Sequence, residues 1–442
     1  MHPRNRSQAL GPPAHGTPSL LDRSHPRMPA AKIPTPEDVD KLFEDRLSIL
    51  KGVVRRQTRT QPDQKRAEAI VESIATFIRS RWDNATSLHS WYKWGGSGES
   101  DVTLNILYEA LSHLGVDLHE VLKMLFKDFG WLERAIAIVD DTGFRKYGRR
   151  MPAISKVHVA NTKGGVAGHN FVTLMLQDDK GSAFYDAAQK VNNVVPKSNR
   201  RKGRKTDAVR RMQEATKHQL ARDMIAKALQ DGVSLTHVLF DAWYLCAETA
   251  NWLENVKHLK FVSRAKSNTS FIVDGQEVRA DAFIAAQKSW RRVRKTDHFC
   301  YQKEAVMKNG VKVKLVAVWF FRGRSLKKTA TVLVTNDLAL SAAAVVLLYL
   351  SRWSTEQGYK MLKHNLAWAN YRSTSLDSNS SAQRLGLIAY ALASSVQQSV
   401  TGTVGLPTLL EMRKLARRTM AATGTTGHET EKPKMPTEKL AA

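Results

Sequence analysis

Cysteine is nearly absent from this chain, with only Cys246 and Cys300 in 442 residues. They stand far apart, and no C-x2-C or H-E-x-x-H spacing occurs, so the sequence offers neither a disulfide framework nor a zinc site. Such sparing use of cysteine fits a reducing compartment. No G-x-x-x-x-G-K-[ST] loop is present, which leaves an ATP-driven activity without support and predicts no nucleotide cofactor. No apolar run reaches the length of a membrane span, and no secretory signal precedes the globular part. Membrane attachment is therefore not expected, and a cytoplasmic, nucleoid-associated location is. Acidic residues are scarce as well: 41 Asp and Glu stand against 68 Lys and Arg, for a net charge of +27. That excess is larger than solubility requires and implies a polyanionic partner, with DNA the economical choice.

What is there divides along the chain. Residues 1–34 are rich in Pro, His and Arg and read as a disordered basic arm. Residues 35–130 show helical spacing, with Leu42, Leu47 and Leu50 in one stripe and Ile70, Ile74, Phe77 and Ile78 in another. Thr103 to Leu111 and Leu118 to Phe126 predict two further helices. This unit carries Arg55, Arg56, Arg59, Lys65 and Arg66, then Arg79, Arg81, Lys93 and Trp94, and reads either as a helical DNA-binding domain or as a plain helical packing domain. Residues 131–375 alternate strand-like and helical stretches. Strands are predicted from Ala135 to Asp140, Ile154 to Ala160 and Asn170 to Leu176, and Lys197 to Lys205 is a dense basic loop. Short β-like runs fill about 258–335. Residues 376–420 read as helices, and 421–442 as a disordered tail.

Chemistry concentrates in one stretch, Tyr349-Leu350-Ser351-Arg352-Trp353-Ser354-Thr355-Glu356, followed by Lys363. On one continuous helix, Tyr349, Arg352, Glu356 and Lys363 fall within roughly a 60° arc. A carboxylate held among cations suits a site for both a divalent metal and a phosphate backbone. A plain Arg352–Glu356 pair at i,i+4 is the simpler alternative, worth a few tenths of a kcal/mol. Two more acids stand where strands end. The run Ala135-Ile136-Ala137-Ile138-Val139 leads into Asp140-Asp141-Thr142-Gly143. The run Leu235-Thr236-His237-Val238-Leu239-Phe240 leads into Asp241, at an edge where α/β folds hold ligands.

These features resemble the DDE transposases of bacterial insertion sequences, in the group named after insertion sequence four. Tyr349, Arg352, Glu356 and Lys363 match its Y-x2-R-x3-E-x6-K signature gap for gap. The acid directly before threonine, Asp141, matches the first catalytic aspartate, with Asp140 on the other side of the strand, and Asp241 matches the second. The resemblance spans about residues 130–375. It implies an α/β, RNase H-like mixed-sheet core with a β-rich insertion and an N-terminal all-α domain. It further implies metal-dependent cleavage and strand transfer at transposon ends, with Asp141, Asp241 and Glu356 holding two Mg²⁺ ions, for which Mn²⁺ can substitute. Three carboxylates suffice because Mg²⁺ takes oxygen ligands and keeps several waters, while paired ions stabilise the attacking and leaving oxygens. Arg352 and Lys363 would hold end phosphates and Tyr349 would hydrogen-bond one. Trp290, with Arg291 and Arg292 beside it, would contact DNA from the insertion. Trp290 or Trp319 would stack on a flipped base. The implied partners are terminal inverted repeats, target DNA and a second copy in a synaptic homodimer. A catalytically inactive or domesticated DNA-binding relative is the alternative. A small-molecule phosphohydrolase is disfavoured by the charge.

Overall fold

The computed structural model describes residues 36–58, 64–71, 116–192, 207–293, 298–320 and 329–401, with internal breaks of one to three residues. The sequence readings for the arm 1–34, for Ile70, Ile74, Phe77 and Ile78, for Thr103 to Leu111, for the loop 197–205 and for the chain beyond residue 401 lie outside these residues.

One sheet of twelve strands organises the described chain. Its centre is β1 (Ala135–Arg145), an apolar run that continues past the two aspartates because every residue from Asp140 to Arg145 finds a partner across β3. A short strand, β2 (Ser155–Val157), and a long one, β3 (Val166–Gln177), follow and pair antiparallel with each other, and β4 (Ser182–Lys190) pairs antiparallel with β3 as well. On the other side of β1, β5 (Leu235–Phe240) and then β6 (Lys260–Arg264) run parallel to it. The order β4-β3-β1-β5-β6, with β3 alone reversed relative to β1, β4, β5 and β6, is an RNase H-like mixed sheet. β3 is buried over nine consecutive residues, as expected of a strand covered on both faces.

The stretch predicted as a β-rich insertion begins with β6, which is the fifth strand of this core. The remaining strands extend the same sheet. β7 (Ser270–Val273), β8 (Gln276–Arg279), β9 (Arg291–Arg292), β10 (Phe299–Met307), β11 (Lys312–Phe320) and β12 (Thr329–Thr335) run outward from β6 in the order β12-β11-β10-β7-β8, with β9 on β10. Asn336 locks the join: its side chain accepts from Phe261 N at 2.7 Å and donates to Leu259 O at 3.0 Å and to the Glu254 carboxylate.

Helices cover the sheet. α1 (Pro36–Gln57) buries Phe43, Leu47, Leu50, Val53 and Val54. α2 (Leu118–Asp128) is capped by Asp117, which accepts from His119 N and Glu120 N. Two helices follow β4, α3 (Asp207–Glu214) and α4 (Lys217–Gln230), kept separate because Thr216 adopts an extended conformation and caps the second. α5 (Ala247–Asn251) and α6 (Ala280–Ala285) are short. α7 (Ala342–Leu350) and α8 (Trp353–Lys360) carry the signature residues, and α9 (Leu376–Thr401) packs against β4, α1 and α2. The described N-terminal helices thus share one apolar core with the sheet. Among the described residues, no helix is long and apolar enough to cross a membrane.

Candidate active site

Residues paired across antiparallel strands point to the same face, and successive residues point to opposite faces. Asp140 pairs with Thr173, Ile138 with Met175 and Thr142 with Phe171. The signature segment lies on this face. Ser354 and Thr355 approach Met175 Sδ, the Tyr359 hydroxyl meets Thr173 Oγ1 at 2.5 Å, and Lys363 donates to Thr142 and to Gly143 O. Arg352 completes the contact: Nη1 donates to Asp140 at 2.8 Å, and Nη2 donates to Glu356 at 2.9 Å. Gly358 permits this approach. A Cβ there would lie 2.6 Å from the Phe184 ring and 2.7 Å from Met175 Cε.

The signature residues do not sit on one continuous α-helix. α7 ends at Leu350, and Arg352, Ser354 and Thr355 donate three residues back before α8 is established. Ser351 drives the change, since its hydroxyl donates to Leu348 O at 2.6 Å and its backbone N–H serves both Leu347 O and Leu348 O. Past Lys360, the residues Met361–Asn365 widen into a π-helical turn. The bend leaves Trp353 outside, 54% exposed, and turns Arg352, Glu356 and Lys363 toward β1.

The two adjacent aspartates therefore have different neighbours. Asp140 is 15% exposed at its side chain, and burial pushes its pKa up to about 7. Arg352 and the Asp141 N–H oppose that rise, while the charges of Asp241 and Asp141 add to it. Asp241 follows Phe240, the partner of Val139, so it sits beside Asp140 at the end of the neighbouring strand. Its Oδ1 accepts from Trp243 N at 2.8 Å. Asp141, the acid selected by the sequence match, points to the opposite face. There it accepts from Lys217 Nζ of α4 at 2.6 Å, from Asn170 Nδ2 at 3.2 Å and from the Tyr244 hydroxyl at 3.3 Å. The arrangement brings together Asp140, Asp241, Glu356, Arg352 and Lys363, and groups Asp141 with Lys217, Asn170 and Tyr244.

The cations are themselves constrained. Burial pulls the Lys363 ammonium down from its ordinary pKa, with Asp140 opposing. Tyr349 is buried, which raises its phenol, and the Arg352 guanidinium lies 5.8 Å from its ring centroid. Trp290, Arg291 and Arg292 are elsewhere. β10, which pairs with β9, is four strands from β5, roughly 20 Å at strand spacing. Trp290 packs edge-on against Trp319 with centroids 5.5 Å apart. No local pattern marks Lys217, which comes from a helix 76 residues beyond Asp141. Asn170 opens the strand predicted from Asn170 to Leu176, and its side chain donates to Asp141.

A carboxylate-rich, nitrogen-poor donor set suits a hard divalent cation better than zinc. Among the described residues, however, no three acidic, His or Cys side chains stand close enough together to hold a metal ion as they are placed. The Arg352 guanidinium instead lies between Asp140 and Glu356. With Lys363 on the same face, Arg352 offsets two of the three carboxylates, and Asp140 is itself pushed toward its neutral form by burial.

A family model described as DDE superfamily endonuclease matches residues 99–313, a span that includes Asp140, Asp141 and Asp241 and stops before Glu356. None of the curated proteins compared matches the chain. Among solved structures, a piggyBac transposase synaptic complex with hairpin DNA is similar at 10% identity and a TM-score of 0.41, over 88% of this chain and 80% of that one. A Drosophila P element transposase strand transfer complex is similar at 10% identity and a TM-score of 0.20, over 54% of this chain and 53% of that one.

Proposed function

We propose that this chain is a DNA transposase that cleaves and joins strands at the ends of an insertion sequence, by cut-and-paste transposition. The carrying observation is the Arg352 fork, which ties Asp140 on the central strand to Glu356 on α8, beside Asp241. Net charge of +27 supports a DNA partner, and the DDE superfamily endonuclease match supports the reaction class.

Asp140, Asp241 and Glu356 are the proposed ligands of two Mg²⁺ ions. Asp140 replaces Asp141 in this role because it faces α8, whereas Asp141 is paired with Lys217 on the other face. Bound metal would supply charge stabilisation at the attacking and leaving oxygens. The chain's own residues do the rest. Arg352 holds Asp140 and Glu356 in place, then turns its fork to an incoming phosphate. Lys363 keeps β1 against the π-helical turn and adds positive charge beside the strand to be cut. Tyr349, under the guanidinium, limits where that fork can go. The terminal repeats, target DNA and a second copy of the chain complete the proposed synaptic assembly.

The test is cleavage of cognate end DNA in Mg²⁺ by four variants. Asp140→Asn, Asp241→Asn and Glu356→Gln should each abolish cleavage with duplex binding retained, while Asp141→Asn keeps measurable activity. An inactive Asp141→Asn beside an active Asp140→Asn would return the ligand role to Asp141. Full activity in all four would remove the metal-dependent reading.

A further inference from the structure

Strand β5 ends at Phe240, so Asp241 has no ladder partner on β1 or β6. Its carboxylate is aimed by the loop that follows, because Oδ1 accepts from Trp243 N at 2.8 Å in an Asx turn. Whatever moves the Trp243 backbone therefore moves the Asp241 carboxylate. The indole does not anchor that backbone in the core, since Trp243 is 53% exposed. The loop is held from outside instead. His218 Nε2 of α4 lies 3.0 Å from the Trp243 carbonyl, and a carbonyl only accepts, so Nε2 carries the proton and donates. The His218 ring also stands edge-on to Tyr244, with centroids 5.8 Å apart. One turn further along α4, Arg222 Nη1 pairs with Glu248 of α5 at 2.8 Å. Residues four apart share a helix face, so one edge of α4 grips the chain both just after Asp241 and at the start of α5. Lys217, beside His218, ties the same end of α4 to β1 through Asp141 at 2.6 Å.

We propose that His218 is a positioning residue for strand cleavage: by holding the Trp243 carbonyl it sets the direction of the Asp241 carboxylate. The proposal rests on the transposase reading, since the direction of Asp241 matters only if that carboxylate works as a metal ligand. It goes further by making the start of α4 part of the site's support, although α4 supplies no ligand. Hydrogen bonds that orient a metal ligand are commonly worth roughly 10–100-fold in metal affinity or activity. A displacement of about 1 Å is enough to produce a loss of that order.

The experiment compares the full chain with two variants. His218→Phe keeps a ring beside Tyr244 but has no donor, and His218→Gln restores a donor. Amide exchange over residues 241–246 is followed by mass spectrometry without metal or DNA. Cleavage of cognate end DNA is followed across a Mg²⁺ series, with duplex affinity measured in parallel. His218→Phe should exchange faster over that stretch, cleave roughly tenfold more slowly at saturating DNA and need more Mg²⁺ for half its maximal rate. Its duplex affinity should be unchanged, and His218→Gln should recover most of the protection and most of the rate. A rate loss with unchanged exchange would overturn the proposal, as would a loss that His218→Gln does not recover. If the parent chain cleaves nothing, the transposase reading fails and takes the role of His218 with it. If the parent cleaves and His218→Phe cleaves as fast, only the positioning role fails.

Discussion

At the scale of single residues, Arg352 carries a geometric demand that charge alone does not meet. Its two Nη atoms serve two carboxylates from different elements, 212 and four residues away in sequence. A lysine presents a point charge and cannot span both. Arg352→Lys is therefore expected to lose at least tenfold in end cleavage despite conserving charge, whereas a mere i,i+4 surface partner would tolerate it. Cleavage rates on cognate ends, with folding checked by circular dichroism, decide between these. His169 makes a different demand. It is fully buried, and Pro152 O can only accept, so Nε2 donates to it and Nδ1 accepts from the Tyr371 hydroxyl at 2.6 Å. Burial, with the Lys146 charge adding, lowers its pKa to about 4. Between pH 4 and 6.5 the unfolded chain binds the extra proton and the folded chain does not, so stability rises with pH through that window. A His169→Gln variant should flatten this slope, losing up to a few kcal/mol of pH dependence. Urea midpoints collected from pH 4 to 7 for both proteins are the check. An unchanged slope would mean that His169 is protonated in the fold.

At the scale of elements, the distance between α8 and the sheet is set by Gly358. With Phe184 and Met175 already in contact range of an added Cβ, Gly358→Ala has to displace α8 or repack the ring. Overpacking of this kind costs about 1–3 kcal/mol. The same displacement would lift Glu356 and Arg352 off β1, so cleavage should fall by more than the lost stability explains. A variant as stable and active as the parent would show that α8 is free to shift. A second clamp joins α2 to the end of α4. Asp231 accepts from His119 Nε2 at 3.0 Å, from the Tyr185 hydroxyl at 2.7 Å and from Lys123. These bonds overcome the burial that would raise its carboxyl and hold it below the usual range. Asp231→Asn should destabilise the fold by about 1–3 kcal/mol at neutral pH, and the deficit should shrink as acid protonates the parent's carboxylate. Thermal melts at pH 7 and pH 3 test both halves of that statement.

The element scale also explains what the sequence could and could not disclose. Asp241, Arg352 and Glu356 were legible because each is announced locally, by a strand that ends or by helical spacing. Choosing between Asp140 and Asp141 was not a local matter. Alternation along β1 says only that they face opposite ways. Which face receives α8 follows from β1–β3 pairing and from a helix over two hundred residues later. Lys217 was hidden for the same reason. The single-helix reading of the signature failed at Ser351, whose hydroxyl competes for backbone carbonyls in a way spacing does not reveal. β4 was missed because Asp186 and Gln189 interrupt its apolar residues. The pairing of β6 with both β5 and β12, which makes core and extension one sheet, is a long-range choice that no window of sequence contains.

At the scale of the whole molecule, the surplus of 27 positive charges is the dominant fact. Arg352 and Lys363 on the face of Asp140, and Lys217 on the face of Asp141, are committed to protein partners. A polyanion that binds the exposed cations releases its own condensed counterions. Duplex affinity should then fall linearly on a log–log plot against salt, with a slope of about −0.9 for each phosphate neutralised. Two comparisons give this prediction its content. Arg291→Ala with Arg292→Ala, far along the sheet from the acids, should reduce the magnitude of the slope by about one to two if that strand touches the backbone. Asp241→Asn should leave the slope nearly unchanged while abolishing cleavage, because it alters chemistry at one point of a broad electrostatic footprint. Fluorescence anisotropy of a labelled duplex from 50 to about 300 mM salt measures both, a range over which several phosphate contacts produce a large change. An affinity that does not respond to salt would separate this charge from DNA binding altogether, and the case for a strand-cleaving enzyme would then rest on the Asp140–Arg352–Glu356 geometry alone.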